Sequence, residues 1–355
     1  MSPKKISLDL RNYSLKDMEA LVADMDERPF RAGQLYAWTF FKRAAAIDDM
    51  TDVSKSFRAA LKERSFYLSF PKIKTVLKSA DGTVKMLLEM EDSEPVECVL
   101  IPEKERLTLC ISTQCGCSLK CAFCLTGEGG AGRNLTVAEL VGEVMAAEQL
   151  VREGGVKGRE AVTNIVLMGM GEPLLNYDNV IKFLNILIDP SGMAYGARKV
   201  TVSTAGVAPA LEKLGYDTAA NLAVSLNATT DDVRNKVMPI NKKYPLKELF
   251  AALRRYPLKP RRRITFEYVL LKGVNDSIED ARRLCKLLED VPSKINLIAF
   301  NPFPGAAFKR PERADVLKFQ KVLLDAGYTA VIRESRGSDI LAACGQLKAR
   351  KEKAS

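Results

Sequence analysis

From residue 106 onward, short apolar runs alternate with helical stretches, and no other feature constrains the fold so strongly. The runs are RLTLCIS (106–112), NIVLMGM (164–170), KVTVSTA (199–205), NLAVSLN (221–227), RITFEYVLL (263–271) and KINLIAF (294–300). The first helix is predicted to start at Thr136, capped with Glu139, and to run to about Glu153; others are predicted near 177–188, 230–255, 278–289 and 312–325. Buried strands separated by helices imply parallel βαβ units and an α/β fold, either an open doubly wound sheet or a partial barrel. In a barrel-like sheet, functional residues belong at the C-terminal strand ends. A last strand, TAVIRES (329–335), should lead into a short helix carrying Cys344.

The chain before residue 106 has a different character. Residues 14–66 read as helical, with Ser14 and Asp17 as a capping box, a second helix starting at Pro29, and aromatics such as Phe30, Tyr36, Trp38, Phe40 and Phe41 supplying a small core. The period then shortens: KIKTVLKS and TVKMLLEM flank Asp81-Gly82, a hairpin-turn signal, and PVECVLIP follows as another strand. Four segments result: a helical accessory domain (1–70), a β-hairpin extension (71–105), the α/β body (106–335) and a C-terminal segment (336–355) ending in the charged tail KARKEKAS.

Lys and Arg number 54 against 44 Asp and Glu, a net charge of +10 that favours a polyanionic partner such as nucleic acid. The densest basic cluster, Arg254, Arg255, Tyr256, Lys259, Arg261, Arg262 and Arg263, could grip phosphates, with residues 14–66 as the competing surface. The start MSPKKISLDLRNYS has no signal-peptide core, and no run reaches the ~18 apolar residues of a membrane span, so the expected location is the cytoplasm. The eight cysteines then read as metal ligands or catalytic thiols rather than disulfides. The absence of histidine excludes Ser/His and Cys/His catalysis and leaves acid–base work to carboxylates, Lys, Tyr or Cys.

The spacing Cys117-Ser-Leu-Lys-Cys121-Ala-Phe-Cys124 follows the first strand of the body directly. Three thiolates at this spacing can hold three irons of a cubane and leave the fourth open to a substrate. A zinc site ordinarily needs four ligands and paired knuckles, and here there is neither a second knuckle nor a histidine. Cys115 breaks the spacing and reads as packing; Cys98 and Cys285 read as core or helix-surface residues.

Beyond this triad, the stretch from Cys110 through Asn134, GMGEPLLN (169–176), STAG (203–206), NPFPG (301–305) and RGSDILAACGQ (336–346) resembles the RlmN-type RNA methyltransferases. The likeness spans essentially the whole chain, the helical head included. It implies a partial (β/α)6 radical SAM barrel with a small N-terminal helical domain and a β-hairpin connection. It also implies a [4Fe–4S] cluster on Cys117, Cys121 and Cys124, and S-adenosylmethionine used twice per turnover, as methyl donor and as radical source. The implied substrates are an adenosine of 23S rRNA in the peptidyl-transferase centre and the tRNA adenosine just 3′ of the anticodon. Both are methylated at C2, with a reductant such as flavodoxin or ferredoxin and a monomeric enzyme.

By the same resemblance, Cys344 carries the methyl group, a 5′-deoxyadenosyl radical takes hydrogen from it, and the methylene adds to C2 as a protein–RNA thioether. Cys110 resolves that adduct by pairing with Cys344, and Glu97 accepts the C2 proton. Gly171, Glu172, Ser203, Ser225, Leu226, Asn227 and Asn301 match the residues that contact S-adenosylmethionine. One departure is local: the family commonly has Ser-Leu-His where this chain has Ser225-Leu226-Asn227, and Asn can hydrogen-bond but carries no titrating proton. Two alternatives stay open. The sister Cfr-type enzymes methylate C8 of the same rRNA base with the same cysteines, and a non-catalytic iron–sulfur or zinc RNA-binding protein would need no open iron and no Cys344 chemistry.

Overall fold

Helices begin where the sequence supplies caps. The computed structural model describes residues 8–349; the flanking 1–7 and 350–355, with most of the charged tail, lie outside the described residues. Ser14 accepts from the Asp17 amide and Asp17 from the Ser14 amide, a reciprocal cap that opens α1 (Leu15–Asp24). Helix α2 (Phe30–Tyr36) follows Pro29 and widens into a π-turn over Ala37–Phe41, and α3 (Lys55–Glu63) is capped by Ser54. Tyr36, Phe40 and Phe57 are buried between these helices, as the aromatic content predicts, while Phe30 and Phe41 are exposed. The head docks on the body through polar contacts: Asn12 Oδ1 accepts from the Ala138 amide at 3.0 Å, Lys182 pairs with Asp17 at 2.8 Å, and Arg43 pairs with Glu148.

Ten strands form one sheet in sequence order. Strands β1 (Lys72–Lys78), β2 (Val84–Glu89), β3 (Pro95–Glu103) and β4 (Arg106–Ile111) run antiparallel. From β4 on, β5 (Asn164–Leu167), β6 (Val200–Thr204), β7 (Asn221–Ser225), β8 (Ile264–Leu270), β9 (Ser293–Ala299) and β10 (Ala330–Arg333) are parallel. Among the described residues no ladder joins β10 back to β1, so the barrel is open. The crossovers carry α4 (Leu125–Glu128), α5 (Val137–Arg152), α6 (Tyr177–Ile188), α7 (Ala208–Asp217), α8 (Asp231–Val237), α9 (Leu246–Arg255), α10 (Ile278–Leu288) and α11 (Arg313–Asp325). No helix among the described residues is long and apolar enough to cross a membrane.

The β-hairpin extension is continuous with the body: β3 pairs with β4, so β1–β3 extend the barrel sheet. Four details differ from the reading of the sequence. The final strand adds a seventh parallel strand against β9. Helix α7 was not among the predicted stretches; Pro209 suggests a break, yet it occupies the first turn, where its missing N–H costs nothing. The stretch 230–255 is two helices, split by a 3₁₀ turn at Pro239–Lys242 and by Pro245. Cys344 is not on a helix: after a 3₁₀ turn (Ser338–Ile340), Leu341 at φ 52° and Gly345 at φ 81° turn the chain left-handed and end any helical path.

Candidate active site

A cavity of about 220 Å³ opens where the parallel strands end. Cys117, Cys121 and Cys124 line it from the loop after β4, and Cys110 and Cys344 line it as well. That loop is held on both sides. The Cys117 amide donates to Gly130 O (2.9 Å) and the Ala122 amide to Val237 O at the end of α8 (2.9 Å). Gly116 and Gly132 stack backbone on backbone, where a Cβ on Gly132 would stand 2.3 Å from Gly116 N. Burial raises the Cys117 thiol to about 11 and the Cys121 thiol higher still, and the neighbouring Cys124 adds to both shifts. Thiols so placed ionise when a metal takes the charge. Among the described residues no three His, Cys, Asp or Glu side chains converge closely enough to hold a single metal ion.

The opposite wall is built for a polar ligand. Gly171, at φ 97°, turns the GMGEP loop so closely over Gln114 that a Cβ would lie 2.6 Å from the Gln114 side chain. Gln114 in turn accepts from the Glu172 amide at 2.9 Å. The Glu172 carboxylate is buried, and that burial pushes it up; the amides of Ala205 (2.7 Å) and Leu174 (3.1 Å) oppose the shift. Each oxygen retains acceptor capacity for a cationic ligand group. Ser203 and Ser225 line the cavity from the ends of β6 and β7.

Of three further residues expected to hold the cofactor, one stands off the cavity and two line it while bonded within the protein. Leu226 does not line the cavity: its side chain is in the core, its amide donates to Glu267 O (3.0 Å) and its carbonyl accepts from Arg234 (3.0 Å). Asn227 lines the cavity at φ 55°, but Oδ1 accepts from the Val269 amide (2.8 Å) and Nδ2 faces the Met238 sulfur (3.2 Å), so it splices β7 to β8. Asn301 lines the cavity, and its amide donates to Cys344 O at 3.2 Å, clamping the C-terminal segment to the end of β9.

The two remaining thiols face the same space. Cys110 pairs across the sheet with Val99, and burial pushes its thiol up, with Cys344 adding to the shift and Arg333 opposing it. Cys344 is exposed to the cavity yet ringed by protein; burial raises it too, and Arg333 again opposes. Glu97 is not on the cavity wall. It lies on the β3 face that carries Val99, beneath the C-terminal segment, paired with Lys85 at 3.0 Å and accepting from the Lys348 amide at 2.8 Å. Cys115 opens into a neighbouring cavity beside Arg133, and Cys98 is fully buried.

Comparison with known proteins gives two family matches: the radical SAM superfamily over residues 111–285, and the ribosomal RNA large subunit methyltransferase N-terminal domain over residues 8–66. A relative from Geotalea uraniireducens, "Dual-specificity RNA methyltransferase RlmN", is 50% identical over 98% of this chain and 98% of its own length. The chain belongs to the RlmN family. A protein of the same name from Desulfosudis oleivorans is 51% identical over 90% of this chain and 85% of its own. The crystal structure of a radical SAM methyltransferase from Sphaerobacter thermophilus superposes with a TM-score of 0.88 at 41% identity, covering 97% of this chain and 100% of that one. As a radical SAM methyltransferase of the RlmN family, the protein uses S-adenosylmethionine and an iron–sulfur cluster, and the residues present fit both. Three thiols from one loop, lining one cavity, suit three irons of a cubane whose fourth iron stays open. The buried Glu172 carboxylate suits an ammonium group.

Sequence reasoning missed three polar residues here. Arg234 is fully buried and donates to the carbonyls of Ala205 (2.7 Å), Ser225 (3.2 Å) and Leu226 (3.0 Å), tying the ends of β6 and β7. Burial lowers its guanidinium to about 10, against the pull of Cys121. Nothing in the polar segment DDVRNKV marks it. Glu267 and Arg333 line the cavity on β8 and β10. A lone carboxylate among Ile264, Phe266, Tyr268 and Leu270 was a readable signal for Glu267, because burial in an apolar strand demands a reason. The Arg254–Arg263 cluster lies at the opposite end of the barrel, on the last turn of α9 and the loop before β8, with Arg255 paired to Glu212 (3.1 Å) and Arg263 bonded to Thr329 (2.9 Å).

Proposed function

We propose that this protein methylates C2 of an adenosine in 23S rRNA, and the adenosine 3′ of the anticodon in tRNA, by way of a methyl group carried on Cys344. The observation that carries this reading is the meeting of five thiols, Cys110, Cys117, Cys121, Cys124 and Cys344, on one cavity at the barrel mouth. Adenine C2 is an electron-poor carbon and cannot attack a sulfonium methyl as a ring nitrogen can, so a protein nucleophile must take the methyl first. Cys344 is that nucleophile: it is exposed to the cavity and held at its carbonyl by Asn301.

When bound, the cluster supplies an electron and S-adenosylmethionine supplies the methyl group and the hydrogen-abstracting radical, two molecules being spent per turnover. Cys117, Cys121 and Cys124 hold the cluster. Gly171 lets the cofactor approach the backbone, Glu172 receives its ammonium, and Ser203 and Ser225 offer hydroxyls beside it. Glu97 receives the proton lost from C2; the Cys110 thiolate then attacks the Cys344 sulfur, the Cys344–carbon bond breaks with its electron pair on the departing methylene carbon, and that carbon takes up a proton to become the methyl group. The target base must leave its stack to reach Cys344, which favours a bulged or single-stranded site. The helical head, docked on α5 and α6, is the RNA surface in preference to the arginine cluster at the far end. The protein works in the cytoplasm as a monomer, with a reductant such as flavodoxin or ferredoxin.

Nucleoside mass spectrometry of RNA from cells with and without the protein tests this reading. 2-Methyladenosine in both 23S rRNA and tRNA is expected. 8-Methyladenosine in rRNA alone would overturn it in favour of C8 chemistry.

A further inference from the structure

Lysine is rarely buried, and Lys85 is. It stands on β2 opposite Val99, one register step from Leu87, which is opposite Glu97, so Lys85, Glu97 and Val99 share one sheet face. Val99 pairs onward with Cys110. The Lys85 ammonium meets Glu97 Oε1 at 3.0 Å, and the side chains of the pair are only 10% and 9% exposed. The same ammonium donates to Leu341 O at 3.2 Å, while Glu97 Oε2 accepts from the Lys348 amide at 2.8 Å. The pair therefore grips the C-terminal segment at two points, one on each side of Cys344.

Apolar side chains at both positions 85 and 97 would pack as well at lower desolvation cost, so stability alone does not explain a buried ion pair. We propose that Lys85 is a positioning residue for the resolution step: its ion pair holds the Glu97 carboxylate beneath the Cys344 segment. The inference rests on the assignment of Glu97 as proton acceptor. Without Lys85 the carboxylate loses the contact that fixes its Oε1 oxygen. In the step itself the adduct C–H bond breaks, its proton goes to a Glu97 oxygen, and its electron pair stays in the ring; the unpaired electron left by radical addition would return to the bound cluster, which lends one to cleave S-adenosylmethionine. Both oxygens retain a lone pair outside their present bonds. The pair then carries one positive charge, borne by Lys85.

The test compares Lys85→Met, Lys85→Arg and Glu97→Gln as full-length, cluster-loaded protein with labelled RNA. Two products are read: the methyl group on Cys344 by peptide mass, and protein-linked against released methylated RNA on a denaturing gel. Lys85→Met should keep the Cys344 methyl group, accumulate protein-linked RNA as Glu97→Gln does, and release product on the order of a hundredfold more slowly. Lys85→Arg should restore release. Should Lys85→Met not fold, Lys85→Gln takes its place with the same expected products. If Glu97→Gln traps RNA while the Lys85 variants release it normally, the inference is wrong and the Glu97 assignment stands. If Lys85→Met loses the Cys344 methyl group, Lys85 only anchors the segment and the inference is again wrong. Normal release by Glu97→Gln would remove the Glu97 assignment itself.

Discussion

Replacing Cys110 with alanine is expected to turn the protein into a trap that stays covalently joined to its RNA. Cys110 lines the cavity that Cys344 faces, and Arg333 bears on both thiols. With Cys110 gone, no other thiol outside the cluster triad and Cys344 lines that cavity among the described residues. Carriage of the methyl group and addition to the base need only Cys344 and the cofactors, so the variant should complete both and stop. Multiple turnover should fall by several orders of magnitude, because residues acting as a unit do not share the loss in proportion. A denaturing gel with labelled RNA reads the result as a shifted band, and Cys110→Ala/Cys344→Ala should abolish it. Quantitative release of methylated RNA by Cys110→Ala would contradict the assignment.

Cys121→Ser should have the second large effect, earlier in the reaction. Serine keeps the size but offers a hydroxyl where iron needs a thiolate. The loop around it is pinned independently of metal by the Cys117–Gly130 and Ala122–Val237 backbone bonds, so the barrel should stay folded. Iron and sulfide content should collapse, the far-ultraviolet spectrum should hold, and cleavage of S-adenosylmethionine should drop at least on the order of a hundredfold, more than loss of an outer-shell partner costs. Cleavage at the parent rate by the serine variant would show that the triad does not hold the cluster.

The architecture was legible because its signals were periodic. Apolar runs from RLTLCIS to KINLIAF became β4 to β9, and Ser14, Thr136 and Pro29 marked helix starts. Sequence alone could not place what tertiary contacts decide. Helix α7 was not predicted, although Pro209 suits the first turn it occupies; a proline's effect depends on which turn holds it. Cys344 read as helical, yet Leu341 and Gly345 adopt left-handed backbone that no local pattern announced. Of the candidate site residues, those tied to strand ends came together on one cavity. Leu226 and Glu97 did not, because neighbouring residues face opposite sides of a strand and the C-terminal segment covers the β3 face. The Asn227 side chain accepts from the Val269 amide on β8 and faces the Met238 sulfur after α8, so the departure from histidine places a non-titrating splice there. Lys85 and Arg234 were invisible in sequence, since only the fold reveals that a charged side chain is buried.

Cys344 as methyl carrier is the claim on which the rest depends, and the mass of its tryptic peptide from protein made in cells tests it most directly. A gain of one methylene unit on Cys344 is the predicted result, absent when Cys121 is serine if loading of the methyl group itself requires the cofactor bound at the cluster. Unmodified Cys344 in cluster-loaded protein supplied with S-adenosylmethionine would contradict the account, leaving a radical enzyme whose methyl group travels by another route.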